Sequence, residues 1–116
     1  MFIDDLEQYN INPKNYLKLA KTYAKNNNYN PNSLSFSLKP NFKLQYQHND
    51  KTIYFGAPQN KDFIIYQHLE NNNEVEKGTA EKHRKNYLKR ATAILGNWKN
   101  NKYSKNNLAI RILWAG

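Results

Sequence analysis

The chain contains no cysteine. That excludes a disulfide framework, thiolate catalysis and any cysteine-based metal site. Acids are scarce: nine Asp and Glu stand against eighteen Lys and Arg. They are scattered, so neither a carboxylate pair for acid–base work nor a two-metal cluster assembles from local spacing. His48, His68 and His83 lack the spacing of metal ligands, and neither a metal nor a cofactor is expected. No stretch approaches the roughly 20 apolar residues of a membrane span. The first residues, MFIDDLEQYN, lack the basic region and apolar run of a secretory signal. A protein without membrane contact is expected, inside a host cell or a virion. At 116 residues the chain suits one domain with a modest core.

Positive charge is present, and it is unevenly placed. Residues 1–78 hold nine Lys against eight acids, whereas residues 79–116 hold six Lys and three Arg against Glu81 alone. Such asymmetry attracts nucleic acid or an acidic protein surface; a face that is simply solvated is the competing explanation. Lys outnumbers Arg fifteen to three. Lys is a point charge without the bidentate fork that reads guanine edges, so contact with nucleic acid should be electrostatic and poorly sequence-specific.

The basic half is organised around a helix predicted over residues 80–95, with Thr79 as cap, Glu81 in the first turn and Gly96 as the stop. Tyr87, Leu88, Ala91, Ile94 and Leu95 recur at three- and four-residue steps and make an apolar stripe. Lys82, Lys85 and Lys89 fall opposite, with Arg84 and Arg90 on the flanks. Beyond Gly96, Trp98 and Tyr103 lie among Lys99, Lys102 and Lys105, an interleaving that suits base stacking beside backbone neutralisation. The alternative for Trp98 is packing under its own loop. Ser104 can cap a final helix carrying Leu108, Ala109, Ile112, Leu113 and Trp114, which is either core or a docking peg.

Upstream, residues 1–33 read as helical. A short helix is predicted around Ile3 and Leu6, and a longer one over residues 13–25, with Asn12 as cap and Pro13 at its first position. Its apolar face is Tyr16, Leu17, Ala20, Tyr23 and Ala24. Lys14, Lys18, Lys21 and Lys25 form a second basic stripe about opposite. Residues 34–56 alternate apolar with polar, as half-buried strands do. A turn at Lys39-Pro40-Asn41 pairs Leu38 with Phe42, Phe36 with Leu44 and Leu34 with Tyr46. One at Asn49-Asp50 pairs Tyr46 with Ile53 and Leu44 with Phe55. Both keep the apolar side chains on one face, where a one-residue slip would split them. Residues 62–116 form the basic helical part. Phe63 to Tyr66 opens a short helix through Leu69, with a fourth strand as the alternative. The expected fold is α+β: a three-stranded antiparallel meander covered by the helices at 13–25 and 80–95.

His83, Arg84, Arg90, Arg111 and Tyr103 are residue types of a phosphoryl-transfer site, but they come from separate elements and no catalytic role is expected of them. The order YFGA (54–57), DFIIY (62–66), EKHRKNYLKRA (81–91), GNWKNNKYS (96–104) and NLAIRILW (107–114) resembles an uncharacterised family of small basic proteins encoded by large DNA viruses and their relatives. The resemblance covers residues 52–114 and implies a viral, virion-associated protein. The function expected is non-enzymatic: a structural protein contacting the genome or an acidic capsid-protein surface. A non-virion, sequence-nonspecific nucleic-acid-binding protein is the first alternative, and a small phosphodiester-processing enzyme the second.

Overall fold

In the computed structural model, which describes residues 1–115, the alternating segments form an antiparallel meander. Its strands are β1 (Leu34–Phe36), β2 (Leu44–His48) and β3 (Lys51–Phe55), paired in chain order. The register is the expected one, with Leu34 opposite Tyr46, Phe36 opposite Leu44, Tyr46 opposite Ile53 and Leu44 opposite Phe55. Asn49 turns the second hairpin at φ 54°, a conformation Asn tolerates. Leu34, Leu44, Tyr46 and Phe55 are buried on the shared face. The pairing of Leu38 with Phe42 does not form. The Ser37 hydroxyl accepts from the Lys39 amide and the Gln45 side chain accepts from the Leu38 amide, so side chains capture the groups a ladder would use. Leu38 is left in solvent.

Helices follow their capping chemistry. Helix α1 (Phe2–Asp5) runs into a 3₁₀ turn at Leu6–Tyr9, and together they bury Phe2 and Leu6. Helix α2 (Pro13–Asn26) starts where Asn12 accepts from the Lys14 amide, and buries Tyr16, Ala20 and Ala24. Helix α3 (Phe63–Asn71) settles the helix-or-strand choice, because the Asp62 carboxylate accepts from the Ile65 amide at 2.9 Å and caps it.

Helix α4 (Thr79–Thr92) is shorter than predicted. Gly78, at φ 94°, rather than Thr79 takes the cap position, and Glu70 accepts from the amides of Gly78 and Ala80 in place of a local cap. At the other end the Thr92 hydroxyl bonds back to the Leu88 carbonyl. The helix stops there, so Ile94 and Leu95 fall outside the stripe, and Leu95 is 92% exposed. Helix α4 also packs chiefly on α3. The sheet is covered instead by α2 and by the final helix, α5 (Lys105–Leu108), which widens into a π turn at Ala109–Leu113. Ser104 caps α5 by accepting from the Asn107 amide. Leu108, Ile112, Leu113 and Trp114 are buried, so this segment is core and not a peg. Among the described residues, no helix is long and apolar enough to cross a membrane.

At the centre lies an ion pair. The Lys43 ammonium donates to the Asp62 carboxylate at 2.8 Å, and the two side chains are 2% and 1% exposed. The Tyr16 hydroxyl donates to the same carboxylate oxygen at 2.5 Å. One carboxylate thus ties together the start of β2, α2 and the first turn of α3. Gly56 crosses the Lys43 stem at φ 85°; a Cβ there would stand 2.8 Å from Leu113 and 3.1 Å from Lys43, so only glycine fits.

Breaking a buried pair by removing one partner costs about 3–5 kcal/mol, because the other charge is left uncompensated. Lys43→Met is therefore expected to lower stability by that amount in urea denaturation, and a loss below about 1 kcal/mol would mean the pair is not structural. A second expectation concerns alkali. Burial pushes the phenols of Tyr16 and Tyr29 up, the first well above its ordinary value of 10.0 and the second to about 12. Between those values the unfolded chain releases protons that the folded chain keeps, so stability present below pH 10 is lost as pH rises toward 12. The urea midpoint should fall over that interval, and Tyr29→Phe should make the fall shallower.

Candidate functional site

The structure divides the predicted nucleic-acid-binding residues into two groups. Lys82, Lys85, Lys89 and Arg90 project from α4 into solvent, and Lys99 is exposed in the loop beyond it. The others are engaged with the fold. Arg84 donates from Nε to the Trp114 carbonyl at 3.0 Å and from Nη2 to the Ala115 carbonyl at 2.9 Å, and it pairs with Glu81. Its planar fork satisfies carbonyls that a helix end leaves open, so its donors are engaged with the fold.

Tyr103 is engaged in the same way. Its ring stacks on His48 at 3.6 Å and on Tyr46 at 5.7 Å, and meets Tyr29 edge-on, so it is part of a half-buried aromatic cluster packed against the core. Lys102 donates to the Asn28 carbonyl and lies over the Tyr29 ring, while Lys105 lies over Phe42. Trp98 is half-buried. Its indole N–H donates to the Ile94 carbonyl at 2.7 Å, and its own carbonyl accepts from Asn107 at 2.8 Å, which is packing within the loop. The secondary stripe holds together: Lys14, Lys18, Lys21 and Lys25 edge a shallow groove of about 440 Å³ floored by Leu17 and Pro31, with no acid in its lining.

The set of phosphoryl-transfer residue types is dispersed. Arg111 lines a groove with Tyr29, Lys99 and Lys102, away from His83. His83 and Arg90, by contrast, enter a cleft of about 720 Å³ that the sequence did not reveal. One wall is the loop from β3 to α3, with Gly56, Gln59, Asn60 and Lys61; another is α4, with His83, Asn86, Tyr87 and Arg90. Tyr66 of α3 and Leu113 and Trp114 of the final helix complete it, with Lys43 among the lining residues. Rings line it in stacked pairs, Tyr66 on His83 at 4.2 Å and Tyr87 on Trp114 at 4.4 Å. Burial raises the phenol pKa of both Tyr66 and Tyr87, so these rings stay neutral at physiological pH. No Asp or Glu lines the cleft. Lys43 is neutralised by Asp62, which leaves Lys61 and Arg90 as its uncompensated cations.

One signal in the sequence pointed there. His83, Tyr87 and Arg90 follow a +4, +3 spacing, a mixed aromatic and cationic stripe on one side of α4. The loop residues gave none, because only tertiary packing brings them to the helix. Among the described residues no group of three His, Asp or Glu is placed to hold a metal. Comparison with protein-family models, with curated proteins and with solved structures yields no match.

The division of cations is open to test. Arg84→Ala should cost about 1.5–3 kcal/mol, the range for hydrogen bonds from a charged group, seen as a lower melting temperature. Its affinity for duplex DNA, measured where the variant is fully folded, should match the parent. An unchanged melt with weakened binding would return Arg84 to the binding face.

Proposed function

We propose that this is a non-enzymatic, virion-associated basic protein of a large DNA virus that contacts nucleic acid through α4 and the loop after it. The observation that carries the nucleic-acid contact is the set of exposed cations Lys82, Lys85, Lys89, Arg90 and Lys99, whose one acidic neighbour on the helix, Glu81, is paired with Arg84. A row of solvated Lys ammonium groups on a rigid helix suits phosphate neutralisation with release of counterions. It supplies little to read base edges, so binding follows charge and not sequence. Tyr103 is stacked between its neighbours against the core and Trp98 is held in its loop, so base stacking by these two adds little. The virion association rests on the sequence resemblance over residues 52–114.

Binding to a random-sequence duplex is expected to fall steeply with salt, with a log–log slope of about −4.5 if five phosphates are neutralised. Lys85→Glu with Lys89→Glu should weaken binding to all sequences and reduce that slope by about two. If the double variant binds as the parent does, the contact lies elsewhere, and the stripe Lys14, Lys18, Lys21 and Lys25 is the next to alter. If no duplex binds at about 50 mM salt, where an electrostatic binder is strong, an acidic protein surface replaces nucleic acid as the partner. Co-purification with particles separates the virion protein from a non-virion one.

A further inference from the structure

We propose that the cleft between the β3–α3 loop and α4 is a binding site for one nucleotide unit, a phosphate group carrying a planar base. The proposal rests on the nucleic-acid reading only in choosing a nucleotide over other phosphate esters. The cleft volume of about 720 Å³ falls within the roughly 300–1,000 Å³ of small-molecule sites. Its charge selects an anion, because Lys61 and Arg90 face it from different elements and no carboxylate lines it. Neither cation forms an ion pair among the described residues; Lys61 lies 5.9 Å from the Tyr9 ring and Arg90 5.9 Å from the Tyr87 ring.

The rest of the lining suits a base. The stacked pairs Tyr66–His83 and Tyr87–Trp114 supply flat ring surface. The side-chain amides of Gln59, Asn60 and Asn86 also line the cleft, and none is bonded to another described residue, so donors and acceptors stand free for a base edge. Behind them the Lys43–Asp62 pair fixes the residue at which the loop meets α3, which gives the wall a rigid root. A phosphate held by Lys61 and Arg90 places the attached nucleoside among the rings. No bond is made or broken.

Trp114 lies in the cleft and Trp98 does not, which provides a probe. In Trp98→Phe, fluorescence of Trp114 is followed while AMP, adenosine or inorganic phosphate is added. AMP is expected to give a saturable change, with adenosine and inorganic phosphate at least about tenfold weaker. Lys61→Ala and Arg90→Ala should each weaken AMP about tenfold, the loss of one charge-assisted hydrogen bond, without lowering the melting temperature. Absence of a saturable change up to about 10 mM AMP, or inorganic phosphate binding as tightly as AMP, overturns the proposal. Should Trp98→Phe fail to fold, the same titration is read on the parent protein by NMR, from the Trp114 indole and the three side-chain amides.

Competition assigns the source. Displacement of AMP by a 5′-phosphorylated single strand, but not by its 5′-hydroxyl counterpart, places a strand end in the cleft; no displacement by either places a free nucleotide there. The two functional proposals fail separately. With Lys85→Glu and Lys89→Glu in place, AMP binding should persist while duplex binding weakens. A parent protein that binds duplex with the expected salt dependence and is silent to AMP removes the cleft proposal alone.

Discussion

The fold depends on a single buried carboxylate. Asp62 accepts from the Lys43 ammonium, the Tyr16 hydroxyl and the Ile65 amide at once, so β2, α2 and α3 must all be in place before it is satisfied. Moving two such charges out of water costs several kcal/mol per ion, and only short, complete hydrogen bonding offsets this. Among the described residues every buried side-chain nitrogen and oxygen has a partner. A repacked or slipped arrangement would leave Asp62 or Lys43 exposed to that full penalty. The pair therefore penalises other arrangements of the layers. Through Gly56, which presses on the Lys43 stem, and through Asp62 itself, it also pins both ends of the loop that walls the cleft.

The same logic sorts the cations. A net charge of +9 overstates what is free to meet a partner, because the fold takes several of the charges for itself. Lys43 is spent inside, Arg84 holds the backbone at Trp114 and Ala115, and Lys102 lies over Tyr29 while bonding to the Asn28 carbonyl. Much of what remains is arranged as two faces, one on α4 and one on α2, each with its charges at helical spacing and little opposing acid. Arginine and lysine differ by geometry. The planar fork of Arg84 suits two fixed carbonyls, whereas the flexible lysines keep their rotatable donors in solvent.

The meander was legible because its code is local. Side chains alternate, the turn residues sit at both reversals, and Leu34, Phe36, Leu44, Tyr46, Ile53 and Phe55 agree on one face only in the observed register. The caps of α2 and α5 were equally plain, since Asn12 and Ser104 act within three residues. Failures arose where a distant or competing bond decided the outcome. Glu70 serves α4 from eight residues upstream of Gly78, and the hydroxyls of Ser37 and Thr92 draw the backbone away from the ladder and the longer helix that hydrophobic pattern predicts. For the site, the exposed lysines of α4 could be read from spacing, but Arg84 and Tyr103 could not be told from ligand-facing residues without knowing what packs beside them. Nor could the cleft, whose lining comes from five separate segments.

The dependence of the core on its C-terminal helix has a kinetic consequence. The sheet and α2 bury their apolar faces against Leu108, Ile112 and Leu113, and side-chain bonds tie Asn27 to Arg111 and Tyr29 to Lys102 across 84 and 73 residues of sequence. The β-hairpins can assemble early from neighbouring residues, but they gain a protected face only when this distant segment closes over them. Loop-closure entropy must be met before those contacts return anything, which slows folding relative to a helical protein of equal length. Until then a nascent or partly folded chain shows an uncovered strand surface, open to pairing with another chain.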